Sequence, residues 1–223
     1  SLTKIMTAVT ALESSPQGTM ITVNSDHLNK EGDTGLLSDE TWSLSNILKF
    51  TLLVSSNDGA AAVASSLGGS TFVDQMNEKA QSLGLYRMKF FNESGLDESV
   101  ETAGGYGSAQ DVAQLLNYAA SNHQDIFETT QYPSLTVSSE DNINHTASNS
   151  DVLAGTIPGL VAGKTGTSDL AGANLAILFD AGIQHPVAVV VLGSTYNGRF
   201  NDVQNLVNAA IGTISDTAYN TQQ

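Results

Sequence analysis

Apolar residues recur at helical spacing in the first fourteen positions. Leu2, Ile5, Met6, Val9 and Leu12 form a stripe, and Ala8 and Ala11 raise helix propensity. The spacing predicts a helix over 1–14, ended at Ser15-Pro16 because the residue before a proline is pushed toward extended geometry. TMITV at 19–23 reads as a short extended segment, and the polar, glycine-containing stretch 24–41 as loop. Helical spacing returns over 43–54 through Leu44, Ile47, Leu48, Leu52 and Leu53. The alanine-rich run DGAAAVASSL (58–67) predicts a buried helix stopped at Gly68-Gly69. Thr71 with Asp74, and Ser108 with Asp111, have capping-box spacing, so helices are expected through Leu83 (closed by Gly84) and through Ala120.

Beyond residue 150 the pattern changes. Segments 156–163, 173–180 and 187–194 read as strands. VAVVVLG (187–193) is an unbroken β-branched run, which predicts a central strand covered on both faces. A turn at 181–186 makes the last two strands an antiparallel hairpin. Residues 200–214 form a closing helix with Val203, Leu206, Val207, Ala210 and Ile211 on one face, and the tail TAYNTQQ is expected to fray. There is no internal repeat, no low-complexity linker and no second core. The expectation is one domain over 1–223, mostly helical over 15–130 and built on a sheet over 150–223.

Composition narrows the function classes. With 40% hydrophobic but only 6% aromatic residues, the core must rest on aliphatic side chains and methionine. The absence of cysteine excludes a disulfide framework, a thiolate metal site and a cysteine nucleophile. A net charge of −15 repels nucleic acid. Against it, a few clustered members of the eight basic residues would make a local anion site. No apolar run reaches the ~18 residues of a membrane span, and no signal peptide is visible. The chain opens inside an amphipathic pattern, so upstream sequence is expected to be missing. His27, His123, His145 and His185 lack metal-ligand spacing and read as surface or loop residues. Asp97, Glu98 and Glu101 read as a solvated acidic loop.

Three short patterns carry candidate chemistry. Ser1 and Lys4 stand at i and i+3, so a hydroxyl and an amine share one helix face. Lysine can serve as the serine's base if burial or a second cation lowers its pKa toward neutrality. Taken alone, the pair is a weak signal, since surface helices contain it by chance. Ser55-Ser56-Asn57, between two apolar segments, either caps the following helix or places Ser55 and Asn57 in a cleft. Lys164-Thr165-Gly166-Thr167 follows a strand-like GLVAG, so Lys164 is either an exposed edge residue or faces a cleft.

Together, in this order, Ser-x-x-Lys, Ser-x-Asn and Lys-Thr-Gly are the motif set of penicillin-binding proteins and class A β-lactamases. SLTKIMTA, the stretch from Gly32 to Ala60, FVDQMNEKAQSLGL, FFNESGLDE, YGSAQDVAQLL and GLVAGKTGTSDLAGANL make the sequence resemble the penicillin-binding serine D-alanyl-D-alanine carboxypeptidases along nearly its whole length. The resemblance implies an α+β, two-lobed transpeptidase-like (serine β-lactamase-like) fold, an antiparallel sheet flanked by helices plus a helical lobe. The strands that precede the first motif, the C-terminal β-rich domain and the amphipathic membrane anchor are absent from this sequence.

By the same resemblance Ser1 attacks the carbonyl between two D-alanines and Lys4 takes its proton. Ser55 relays a proton to the leaving amine, and Asn57 holds the substrate amide and Lys4. Lys164, Thr165 and Gly166 lie along the substrate, the first two binding its carboxylate. The N–H groups of Ser1 and Thr167 form the oxyanion hole, and Arg199, in Asn-Gly-Arg, also binds the carboxylate. No metal or organic cofactor is implied. The implied partners are peptidoglycan stem peptides ending in D-Ala-D-Ala and, as covalent inhibitors, β-lactams, in the bacterial cell envelope. Ser56 stands where class A β-lactamases have Asp, and no Glu-x-x-Leu-Asn segment supplies a deacylating glutamate. These departures weigh against a β-lactamase. A D,D-endopeptidase, a silent peptidoglycan-binding module and an N-terminal nucleophile hydrolase remain as rivals.

Overall fold

The opening stripe folds as α1 (Thr3–Ser14), and the helix is enclosed on all sides, with every residue from Thr3 to Ala11 buried. A computed structural model of the chain describes residues 1–182 and 185–220, the side chains of 215–220 excepted. After α1 come β1 (Met20–Thr22), β2 (Thr41–Ser43), α2 (Leu44–Val54), α3 (Asn57–Leu67) and α4 (Phe72–Ser82). They are followed by β3 (Lys89–Phe90), β4 (Gly105–Tyr106), α5 (Ala109–Asn122) and α6 (Gln124–Phe127). The remainder is β5 (Ser134–Ser138), β6 (Asn144–Ser148), β7 (Leu160–Ser168), β8 (Gly172–Asp180), β9 (Pro186–Ser194) and α7 (Gly198–Asn220).

Helices α2, α3, α4 and α5 pack around α1. Their core includes Ile5, Val9, Leu48, Phe50, Phe72 and Leu115. The sheet β7-β8-β9 is antiparallel throughout. One face, through Ala162, Ala176 and Leu178, joins the helical core. On the other, Leu175, Ile177 and Phe179 meet Val203 and Val207 of α7. Alternate residues of β8 therefore serve two cores, as a period of two requires of a strand covered on both faces, where the sequence pattern suggested a single one. Among the described residues no helix is long and apolar enough to cross a membrane.

Several expectations need correction. The covered central strand is β8; VAVVVLG lies in β9, at the end of the sheet order, and is only partly buried. β-branching marks a strand but does not rank strands within a sheet. The first strand of this sheet runs 160–168 rather than 156–163, because residues 151–157 are taken up by turns that feed it. Thr71 makes no capping bond to α4; its hydroxyl donates to the Gly68 carbonyl instead. Ser108 does cap α5, but Asp111 accepts from Arg87 N–H rather than closing a box. The β5–β6 hairpin and the short β2 and β3–β4 pairs carried no periodic signal. His27 is buried, and His145 sits against Trp42 and Phe50 with its Nε2 2.6 Å from Glu40 Oε1, so neither is a surface residue. The expected turn at 181–186 falls partly, and the frayed tail partly, outside the described residues; α7 itself continues to Asn220.

Candidate active site

Ser1 stands at the entry to α1, and its carbonyl accepts the Lys4 N–H at 3.2 Å. That wound turn brings the two side chains together. Lys4 Nζ donates to Ser1 Oγ at 2.9 Å, to Asn57 Oδ1 at 2.6 Å and to the Ser94 carbonyl at 2.9 Å. Only 1% of Lys4 is exposed. Burial lowers its pKa to about 7, against the opposing charge of Glu93. The three partners suit both protonation states. The ammonium has three N–H groups for three acceptors; the neutral amine keeps two, for Asn57 and Ser94, and turns its lone pair to the Ser1 hydroxyl.

Ser55 ends α2 in the left-handed region (φ 64°, ψ 38°). For a serine this costs about 1 kcal/mol or more, and it reverses the chain before α3. Ser56 caps α3 through Gly59 N–H at 3.0 Å and lies 2.7 Å from Thr34 Oγ1. Asn57 Nδ2 donates to the Glu31 carbonyl at 2.7 Å, which fixes the amide with its oxygen toward Lys4. The cap reading holds for Ser56, while its neighbours Asn57 and Ser55 accept from the buried Lys4 and Lys164.

From β7, Lys164 Nζ donates to Ser55 Oγ at 2.7 Å and to the Thr165 carbonyl at 2.9 Å. It is buried, not an exposed edge residue. Burial holds its pKa well below the ordinary lysine value, Lys4 and Arg199 add repulsion, and Asp151 opposes them. A Cβ on Gly166 would stand 3.3 Å from Ser1 N and 3.2 Å from Leu2 N. Glycine there lets β7 run alongside the entry of α1. Thr165 Oγ1 lies 2.7 Å from Ser150 Oγ.

Arg199 opens α7, with its Nη1 on the Gly166 carbonyl at 3.1 Å, Thr167 Oγ1 at 2.8 Å and the Asn174 carbonyl at 3.4 Å. Its guanidinium lies 4.7 Å from the Tyr196 ring centre and 4.6 Å from that of Phe200. Ser1 and Thr167 also border a cavity of about 440 Å³ walled by Leu2, Met88, Phe90 and Leu192, which none of Lys4, Ser55, Asn57 or Lys164 lines.

The nine residues singled out in the sequence are thus neighbours: Ser1, Lys4 and Asn57 form one group, Ser55, Lys164 and Thr165 a second, Arg199, Gly166 and Thr167 a third, and Gly166 runs against Ser1. The sequence did not disclose the Ser94 and Glu31 carbonyls, since a backbone acceptor has no residue-type signature. Asp97 is not merely solvated; it accepts from Ser168 Oγ at 2.9 Å and Leu170 N at 3.0 Å, tying the 91–104 loop to the end of β7. Glu98 accepts from Asn92.

A family model described as D-alanyl-D-alanine carboxypeptidase matches residues 1–195. The chain is 34% identical over 130 residues to D-alanyl-D-alanine carboxypeptidase DacF of Bacillus subtilis, covering 53% of this chain and 32% of the relative. It is 32% identical over 131 residues to a D-alanyl-D-alanine endopeptidase of Haemophilus influenzae, covering 56% and 43%. The chain thus spans less than half the length of these two relatives. Penicillin-binding protein D2 of Listeria monocytogenes, solved in a cefotaxime-bound form, superposes with a TM-score of 0.78 at 26% identity, covering 94% of this chain and 85% of that one. The matched residues contain all three motifs that the fold brings together, and the chain belongs to the D-alanyl-D-alanine carboxypeptidase family, peptidase family S11.

Proposed function

We propose that this chain is the catalytic domain of a serine D,D-carboxypeptidase that removes the terminal D-alanine from peptidoglycan stem peptides in the bacterial envelope and is acylated by β-lactams. The observation that carries this reading is Lys4 Nζ, held between Ser1 Oγ and Asn57 Oδ1 while Lys164 Nζ holds Ser55 Oγ. One cleft then offers a nucleophile, a base near neutrality and a cation for a carboxylate.

Neutral Lys4 takes the proton of Ser1 as Oγ bonds to the penultimate D-alanine carbonyl. The Ser1 and Thr167 N–H groups receive the developing oxyanion. The bond between the two D-alanines breaks, and the leaving amine takes the proton handed from Lys4 by way of Ser55. Free D-alanine departs. Water then attacks the ester, one of its protons ends on Ser1 Oγ by way of Lys4, and the shortened peptide leaves with a new carboxylate as the second proton passes to solvent. Lys164 and Thr165 bind the substrate's terminal carboxylate. Arg199 adds its positive charge to this region while its Nη1 orients Thr167 and the Gly166 carbonyl.

The family membership and the cefotaxime-bound relative support acylation by β-lactams. A D,D-endopeptidase uses the same atoms, and one relative bears that name; the buried cations beside Thr165 favour a free terminal carboxylate. Penicillin labelling followed by mass spectrometry should place one adduct on Ser1, absent in Ser1→Ala and slowed by about 10²-fold or more in Lys4→Ala. D-Alanine should be released from peptides ending in a free carboxylate and poorly from amidated ones. Labelling elsewhere removes the mechanism, and equal turnover of acid and amide favours the endopeptidase.

A further inference from the structure

Three buried basic side chains meet beside Ser1 and Ser55: Lys4, Lys164 and Arg199 are 1%, 2% and 3% exposed. Their hydrogen bonds go to hydroxyls, an amide and backbone carbonyls, all neutral acceptors. Among the described residues none of them forms an ion pair with a carboxylate. Buried charge without a counter-charge is unstable, and lysine sheds its proton first. Glu93 is the carboxylate whose field opposes this at Lys4. A second carboxylate, unused by the mechanism above, lies on the far side.

Asp151 is 2% exposed and belongs to the turn Asn149-Ser150-Asp151 that precedes β7. The turn is fastened in several directions. Asn149 Nδ2 donates to the carbonyls of Thr130 and Tyr132 at 2.8 and 2.9 Å, and its Oδ1 accepts the Asp151 N–H at 2.8 Å. Ser150 N–H donates to the Leu53 carbonyl at 3.0 Å, two residues before Ser55, while its hydroxyl meets Thr165 at 2.7 Å. Ser150 thereby links the second motif to the third. Asp151 Oδ1 accepts Leu153 N–H at 2.9 Å. Its Oδ2, buried, takes no hydrogen bond from a described residue. That oxygen would stand 3.0 Å from a Cβ on Gly163, so the missing side chain at 163 is what admits it, one residue before Lys164.

We propose that Asp151 is a positioning residue of the anion-binding half of the site: its carboxylate, enclosed against Gly163, is the counter-charge that keeps Lys164 and Arg199 together as cations beside the substrate carboxylate. This rests on the reading of Lys164 as the carboxylate-binding group. The charged groups acting on Lys164 are Lys4 from α1, Arg199 from α7 and Asp151 from the turn, and of these Asp151 alone favours the cation. Burial pushes the Asp151 carboxyl above the ordinary aspartate range, and the Leu153 N–H, Lys164 and Arg199 draw it back toward the carboxylate.

The test follows Lys164 directly. With six lysines in the sequence, NMR of 15N-lysine-labelled protein gives a Lys164 signal assigned by its loss in Lys164→Arg. In Asp151→Asn the Lys164 titration midpoint should fall by about one pH unit. The alkaline limb of kcat/KM for a carboxylate-terminated peptide should fall with it, and KM should rise more than kcat drops. Asp151→Ser, which keeps an acceptor for Leu153 N–H, should behave alike, so a folding defect of either variant leaves the other to decide. An unchanged Lys164 midpoint in a folded variant overturns the proposal and leaves Asp151 as a turn cap. Failure of the parent enzyme to prefer acid over amide, with the midpoint shifted, overturns the carboxylate reading instead.

Discussion

At the scale of single residues, the site is a place where stability is given up for chemistry. A lysine whose pKa is about 7 when folded and near 10.4 when unfolded binds fewer protons in the native state. The unfolded chain binds the extra proton between those two values, so the Lys4 contribution to stability rises with pH over that window. Its full penalty applies below about pH 7. Lys4→Met removes the penalty at the expense of two unpaired acceptors, Asn57 Oδ1 and the Ser94 carbonyl. The variant should resist denaturant better than the parent at pH 6, by about 1–3 kcal/mol, with the gain shrinking toward pH 10, and should not be acylated. A variant less stable than the parent at pH 6 would mean that those hydrogen bonds outweigh the desolvation of the charge. In the parent, acylation should rise through about pH 7 as Lys4 becomes the free base.

Among elements, the junction of α2 and α3 sets the cleft. Left-handed Ser55 reverses the chain, Ser56 caps α3, and α3 closes onto α2 at Gly59, where a Cβ would collide with Thr51 Oγ1. Thr51 is buried, so neither partner can retreat toward solvent. Gly59→Ala should therefore destabilise the protein by about 1–3 kcal/mol. It should also slow penicillin acylation, because any shift of α3 moves Asn57 away from Lys4. Thermal melts and labelling rates measured together test this; a stable variant with parental acylation would show that the helices separate without disturbing the motifs. Helix periodicity located α2, and alanine content α3, within a residue or so. It could not show that they touch at Gly59, since contact between two helices depends on the angle at which the chain reverses.

On the scale of the whole molecule, the stem peptide proposed as substrate is anionic, and the protein it would approach has a net charge of −15. The cations that receive it are buried and act at short range, while surface carboxylates act at a distance and are screened by salt. Raising NaCl from about 20 to about 200 mM should increase kcat/KM for an anionic stem peptide by about two- to threefold, with kcat little changed. A decrease would place the dominant long-range field at the cleft rather than on the surface. The two cores on either face of β8 hold β7 in register against α1. Asp97 fastens the end of that strand to the loop whose Ser94 carbonyl meets Lys4.

The sequence by itself determined the parts whose signal is local. Periodic stripes gave α1 and α2, the Ser108 cap gave the start of α5, and a β-branched run marked the last of the three long strands. Three motifs singled out Ser1, Lys4, Ser55, Asn57 and the run Lys164–Thr167, and the family resemblance added Arg199. What only the tertiary structure decided depends on neighbours far along the chain. β8 rather than β9 is the covered strand, because burial comes from what packs on each face. His145 is held by Glu40, 105 residues away, beside Trp42 and Phe50. Lys4 owes its lowered pKa to enclosure and its geometry to the Ser94 carbonyl, 90 residues on. Asp151 matters through the space that Gly163 leaves open. Periodicity is written in the order of residues, but burial, charge interaction and backbone approach are set by distances in space, and those follow from the packing of the whole chain.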